Sequence, residues 1–289
     1  MGHVYPGATV PFGMVQLSPE TNRQPMFNAD GSYNKDTYNY CSGYLYDDST
    51  IFGFVHTHFN GTGHSDLGDI LIMPTTGELQ LEPGTQLNPE TGFVSRFSHK
   101  TEKASPGYYS VLLAEDSILA DLTTSERVGF HRYTFFKNPR VHIILDLISN
   151  IYNYEGKNVW IFIRVENDSL ITGYRQTSGW AVTKTVYFAI EFSAPMKEYG
   201  YKRYDQMKYN GFYRKFNESR NFPEMAGHDL RCRFYFDVKS QSPLMVKVSL
   251  SNTSTAGALK NLRSEIPHWN FDLVVAEAKE KWNKELSKI

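Results

Sequence analysis

Leu119-Ala-Asp-Leu-Thr-Thr-Ser-Glu-Arg-Val-Gly-Phe-His-Arg-Tyr-Thr-Phe135 reads as a β-hairpin whose side chains alternate between two faces. Working outward, the same chemistry recurs on both sides. Strands are predicted at residues 14–17, 50–58, 70–74, 93–98, 108–113, 118–124, 128–135, 141–146, 159–165, 170–174, 185–192, 231–236 and 244–250. They are rich in Val, Ile, Tyr, Phe and Thr. Gly, Pro, Asn or Asp punctuate them at roughly the 8–12-residue spacing of an all-β sandwich. The expected fold is mostly β, a large antiparallel β-sandwich over residues 1–252. The tyrosine-rich, charged segment 197–227 shows little alternation and reads as a long surface loop.

The period changes at the end, so residues 253–289 are expected to be linker helices. Ala256, Leu259, Leu262 and Ile266 make a helical stripe opened by Thr or Ser caps. After Pro267, Val275, Ala278, Trp282, Leu286 and Ile289 share a face, with Lys279, Lys281, Lys284 and Lys288 off it. Met1-Gly2 reads as a start placed inside a motif, and a stop at Ile289 on a half-satisfied stripe reads as an interruption.

The bulk numbers narrow the function classes. Length 289 fits one large β domain or two ordinary ones, and 40% hydrophobic content supports a sizeable core. A net charge of −1 leaves no electrostatic footprint for nucleic acid or anionic membrane. No apolar run approaches the roughly 18–20 residues of a membrane span, and no signal peptide is visible. Cys41 and Cys232 are too few for a disulfide framework, so pairing and compartment stay open.

Two glycine-rich loops concentrate the polar chemistry: Gly2-His-Val-Tyr-Pro-Gly-Ala-Thr-Val-Pro-Phe-Gly13 and Phe54-Val-His-Thr-His-Phe-Asn-Gly-Thr-Gly-His-Ser-Asp-Leu-Gly-Asp69. On a continuous strand, Phe52, Phe54, His56 and His58 share one face, the histidines about 6.5–7 Å apart. With His64 and Asp66 three readings stay open. They are a zinc site, a hydrogen-bonded histidine pair, and a pocket in which imidazoles meet ligand hydroxyls; the pocket is favoured. Asn60-Gly-Thr-Gly63 lacks the glycine spacing and the Lys-Ser/Thr of a phosphate loop. Tyr38-Asn-Tyr-Cys-Ser-Gly-Tyr-Leu-Tyr46 offers flat rings with polar edges, suited to sugar faces and equally to sandwich wall. Trp180 reads as core. Asp66 and Asp69 either both face a cleft or one caps the turn. Nothing marks the carboxyl pair of an inverting glycosidase, and Ser65 lacks a nucleophile-elbow context.

These segments resemble the amino-terminal domain of glycoside hydrolase family 92, the calcium-dependent α-mannosidases. The likeness runs through residues 2–19, Cys41-Ser-Gly-Tyr44, residues 53–69, Ser105-Pro-Gly-Tyr-Tyr109, Gly173-Tyr-Arg175 and Ser178-Gly-Trp180. It implies a galactose-mutarotase-like supersandwich packed on an (α/α)6 barrel in an inverting exo-α-mannosidase. The general acid, the general base and most Ca2+ ligands belong to the barrel, which this chain lacks, so residues 253–289 correspond to its lead-in. No catalytic or metal-binding residue is assigned to this chain, which alone is expected inactive. By motif position, His3, the aromatic region 38–40 with Tyr40, and the loop carrying His58, Gly61, Thr62, Gly63, His64 and Asp66 would face the substrate. Relatives often carry tryptophan at Tyr40 and cysteine at His64, and the family's Gly-Thr-Gly-Gly before His3 is absent. The implied partners are a mannose-containing glycan and the chain's own barrel, in the periplasm, at the cell surface or secreted. Rival readings are a free-standing carbohydrate-binding sandwich, a mutarotase-type epimerase with His56 or His58 facing a carboxylate, and the zinc site.

Overall fold

The computed structural model describes residues 3–21, 23–61, 66–137, 140–204, 223–238 and 242–289. Among them the predicted hairpin forms with its register intact: Ile118–Thr124 pairs antiparallel with Val128–Phe135, from Ile118 opposite Phe135 to Thr124 opposite Gly129. It lies in a nine-stranded sheet of order Glu224–Gly227, Asn158–Val165, Leu170–Thr177, Lys184–Phe192, Leu244–Ser251, Val128–Phe135, Ile118–Thr124, Tyr108–Leu113 and Lys103–Ser105. A seven-stranded sheet faces it. Its order is Ala8–Thr9, Gln16–Glu20, Gly53–Val55, Leu71–Thr76, Arg140–Asp146, Leu230–Asp237 and Glu198–Arg203.

Aromatic pairs knit the two inner faces. Phe192 of the larger sheet lies 5.5 Å from Phe234 and 4.9 Å from Phe236 of the smaller one. Phe54 meets Tyr133 across the same gap at 6.2 Å. Because removal of such surface from water is the main favourable term in folding, this layer is the core. The chain is a large antiparallel β-sandwich.

Alternation in the hairpin is weaker than the sequence suggests because its outer face is covered too. Helix α1 (Thr255–Glu265) packs Ala258 and Leu262 against Ala189. Helix α2 (Phe271–Leu286) sets Phe271 and Val274 against Val128 and Phe130. Ser254 caps α1 through the Gly257 amide at 2.9 Å, and Asn270 caps α2 through the Leu273 amide at 3.2 Å. The predicted stripes hold at Leu262, Ile266 and Ala278 and shift elsewhere: Ala256, Leu286 and Ile289 are exposed, while Ala258, Phe271 and Val274 take buried positions.

Three expectations are corrected. The strand predicted at 50–58 is two, because Thr50–Ile51 pairs with Ser95–Arg96 while Gly53–Val55 pairs with Gln16–Glu20. Gly53, at φ 152°, makes the switch, and a Cβ there would sit 2.4 Å from Leu71 Cδ2. Segment 197–227 is not simply a loop. Glu198–Arg203 and Glu224–Gly227 close one edge of each sheet, and residues 205–222 lie outside the described residues. Trp180 is not core; it is 80% exposed at the tip between Leu170–Thr177 and Lys184–Phe192. Both Cys41 and Cys232 are buried free thiols.

Candidate functional site

The two glycine-rich loops meet. The His3 carbonyl accepts from the Gly61 amide at 2.6 Å, with Gly61 at φ 69°. His3 Nδ1 lies 2.8 Å from Cys41 Sγ, and its ring stands edge-on to Tyr38 at 4.8 Å. The 3-10 turn Lys35–Tyr40 that brings Tyr38 there is capped by the Asn34 side chain, which accepts from the Asp36 amide. Next to His3 opens a cleft of about 270 Å³ lined by Val4, Asn39, Tyr44, Leu45, Tyr46 and Asp47. Tyr46 stacks on His99 at 4.0 Å. Tyr40 is buried beneath this surface, its hydroxyl donating to Asp48 Oδ1 at 3.2 Å, so Tyr38 and Asn39 stand nearer the opening. Thr62, Gly63 and His64 lie outside the described residues.

His58 is the best-defined donor-acceptor group of the site. Its Nδ1 is 2.8 Å from the Gln16 carbonyl, which can only accept, so Nδ1 carries the proton and Nε2 is a bare acceptor. That Nε2 is buried without a partner. Gly43 (φ 77°) lies over it, where a Cβ would be 3.0 Å away. Burial lowers the His58 pKa to about 4, against the opposing bond to the Gln16 carbonyl, so the ring is neutral at pH 7.

His56 faces elsewhere. Its Nδ1 donates to the Ile70 carbonyl at 2.5 Å, which makes Nε2 an acceptor. His131 Nε2 at 2.9 Å must then donate, and His131 Nδ1 accepts from Tyr133 at 2.7 Å. One direction of proton order runs through the chain Tyr133, His131, His56, Ile70, all of it buried. Ile70, a β-branched residue at φ 58°, is held in a conformation costing about 1–3 kcal/mol at the edge of this site. Among the described residues neither His56 nor His58 hydrogen-bonds a carboxylate, the pairing that a mutarotase-type reading requires. Among the described residues no three His, Cys, Asp or Glu side chains cluster to hold a metal, which leaves the zinc reading without a site there.

The two aspartates are spent on cations. Asp69 is buried, 3.3 Å from Arg175 Nη1 and 2.8 Å from Lys184 Nζ. Burial raises its pKa, and these two cations overcome that and hold it low. Asp66 lies 3.1 Å from Lys157 Nζ and accepts from the Ala181 amide at 3.1 Å. Burial raises its pKa as well; the Ala181 amide and Lys157 lower it further than burial raises it. Both stay ionised and paired, which suits anchoring rather than proton transfer. Sequence reading missed Arg175, Lys157, Lys184 and His131. For Arg175 one signal existed: it falls in register with Ile171 and Gly173, the inward side of its strand.

Known proteins share this fold. The profile of the glycosyl hydrolase family 92 N-terminal domain matches residues 1–251, and that of the family 92 catalytic domain matches residues 257–289. A family GH92 α-mannosidase from Bacteroides thetaiotaomicron, solved alone and with mannoimidazole, is 36% identical with a TM-score of 0.86 over 99% of this chain. A family GH92 inverting mannosidase from the same organism is 24% identical with a TM-score of 0.71 and shows the same fold. An uncharacterized secreted glycosidase of the fungus Arthroderma benhamiae is 26% identical over 100% of this chain. The chain spans about a third of the length of these relatives, 35–36% of the first, 34% of the second and 36% of the third.

Proposed function

Because this chain belongs to glycosyl hydrolase family 92, we propose that it is the substrate-pocket domain of a calcium-dependent, inverting exo-α-mannosidase acting on mannose-containing glycans. Residues 1–252 would be the pocket domain and residues 253–289 the lead-in to a catalytic barrel. The observation that carries the reading is the 36% identity, across 99% of this chain, to an α-mannosidase solved with mannoimidazole. The relative described as secreted supports a place outside the cytoplasm. No helix among the described residues is long and apolar enough to cross a membrane.

The chemistry of this chain fits binding. Neutral His58 keeps its one lone pair buried beneath Gly43 and supports the loop from behind its surface. His3, Tyr38 and Gly61 shape the wall beside it. Holding a sugar in one orientation and excluding water lowers the entropic part of a barrier without any proton transfer. An inverting reaction needs an acid and a base about 6.5–9.5 Å apart across the bond. Asp66 and Asp69 are tied into ion pairs, so those roles fall to the barrel in this reading. Calcium takes six to eight oxygen ligands. The same two carboxylates spend their oxygens on lysine and arginine, so this site does not fit the ion and no step here runs through it.

The test is proton NMR of α-1,2-mannobiose hydrolysis by the full-length protein. Release of β-mannose before mutarotation, abolished by a chelator and restored by Ca2+, is expected. No mannose release from any α-linked mannobiose would overturn the reading in favour of a free-standing binding module.

A further inference from the structure

The His3 cleft has one aromatic ring in its wall whose placement its own packing does not explain. Tyr46 lines that cleft together with His3, and it is 65% exposed. Its ring lies parallel to that of His99, with centroids 4.0 Å apart and an interplanar angle of 6°, so the imidazole covers one face. With the residue so exposed, the other face stays open. A ring left that accessible gains little from burial.

The support behind it is extensive. Tyr46 stands in the turn closed by the Asp48 amide on the Leu45 carbonyl at 3.1 Å. His99 Nε2 is 2.6 Å from the Tyr46 carbonyl, and a carbonyl only accepts, so Nε2 donates. One imidazole therefore holds both the backbone and the ring of Tyr46. His99 Nδ1 lies 2.5 Å from Glu102 Oε2, and buried Phe97 stands edge-on to the imidazole at 5.2 Å. Glu102 is fixed from below, because the hydroxyls of buried Tyr44 and Tyr109 donate to its Oε1 at 3.1 and 2.7 Å. The chain of contacts runs from a fully buried tyrosine to an exposed one. A ring immobilised in this way loses little conformational entropy when a ligand settles on it.

Two polar side chains of the same cleft, Asn39 and Asp47, make no hydrogen bond among the described residues. A pyranose has an apolar face and a rim of hydroxyls. The face suits an aromatic ring, and the rim suits an amide and a carboxylate. We propose that Tyr46 is the stacking platform of the His3 cleft, receiving the apolar face of one pyranose unit of the glycan, with His99 and Glu102 as positioning residues behind it. The inference rests on the glycan-binding reading above and deepens it. It gives the aromatic contact to Tyr46 rather than to buried Tyr40.

The test is steady-state hydrolysis of the α-linked mannobiose on which the full-length protein is most active. Tyr46→Ala should raise KM about three- to tenfold, the size of one aromatic contact, with kcat within about twofold of wild type. Tyr46→Phe keeps the face and drops the hydroxyl, so its KM should stay within about twofold of wild type. His99→Ala should raise KM several-fold, yet add nothing in the Tyr46→Ala background, where there is no ring to hold. An unchanged KM in Tyr46→Ala, or a Tyr46→Phe as weak as Tyr46→Ala, would overturn the platform, while hydrolysis by the wild type would leave the glycan reading standing. A His99→Ala effect that adds in full to that of Tyr46→Ala would overturn the positioning role. If a lowered Tm shows that Tyr46→Ala folds poorly, Tyr46→Leu, apolar but without a flat face, must show the same rise in KM. No mannose release by the wild type from any α-linked mannobiose would overturn both readings together.

Discussion

Lys157, 2% exposed, carries its ammonium 3.1 Å from the Asp66 carboxylate at the end of the histidine loop. The pair joins the strand Asn158–Val165 region to the segment after Gly61 and, through the Ala181 amide, to the Trp180 tip. Asp66, which the family resemblance places toward substrate, is a structural tether in this fold.

Asp66→Ala should leave that ammonium buried without a partner. Breaking a buried pair by removing one member costs about 3–5 kcal/mol, far more than an exposed pair is worth. Thermal denaturation of Asp66→Ala should show a Tm clearly below wild type. Asp66→Ala with Lys157→Met should recover most of it. An Asp66→Ala chain as stable as wild type would contradict the tether.

Gly179→Ala should damage the same unit by another route, since its methyl would meet Asp66 Oδ1 at 2.0 Å. The two changes share one interaction, so they should not add. A double variant losing the sum of both single losses would show that Gly179 and Asp66 act independently.

Stability should fall on acidification from about pH 6.5 to 4.5. Burial holds His56 at about 3 and His58 at about 4, and puts His131 well below the ordinary value near 6.5. The unfolded chain therefore takes up protons in that window that the folded chain refuses. Their contribution is full above pH 6.5 and lost as pH falls toward the folded values. Glu20 works the other way: burial pushes its pKa up to about 7, against Arg23, so its share is present below about 4.5 and lost as pH rises through 7. Three imidazoles outweigh one carboxyl. Urea denaturation across this range should show the slope flattened in His58→Gln by up to about 1.4 kcal/mol per pH unit and steepened in Glu20→Gln. A pH-independent wild type would contradict the neutral buried histidines.

The β-sandwich was legible because strand chemistry and turn spacing are local: Tyr108–Leu113, Ile118–Thr124 and Val128–Phe135 have the bounds their residues suggest. The two edge strands Glu198–Arg203 and Glu224–Gly227 were not, since they carry little alternation and owe their form to pairing with the strands beside them. Trp180 was misread because a tryptophan in a strand-rich chain is usually buried, and only the Asp66 tether, 114 residues away in sequence, explains its exposure. The polar loop itself was visible from its histidines and glycines. Which imidazole kept a free nitrogen was not, because that depends on Gln16, Ile70 and His131 arriving from elsewhere in the chain.

The central claim is that this domain binds and orients the sugar and leaves proton transfer to the other domain. The pH profile of kcat/KM for the full-length enzyme, compared with His58→Ala, tests it most directly. The account predicts that kcat/KM drops by about tenfold or more while both limbs of the profile stay at their wild-type pH values. A limb that shifts or disappears would make His58 a proton-transfer group, and unchanged kcat/KM would remove it from the site; either result contradicts the claim.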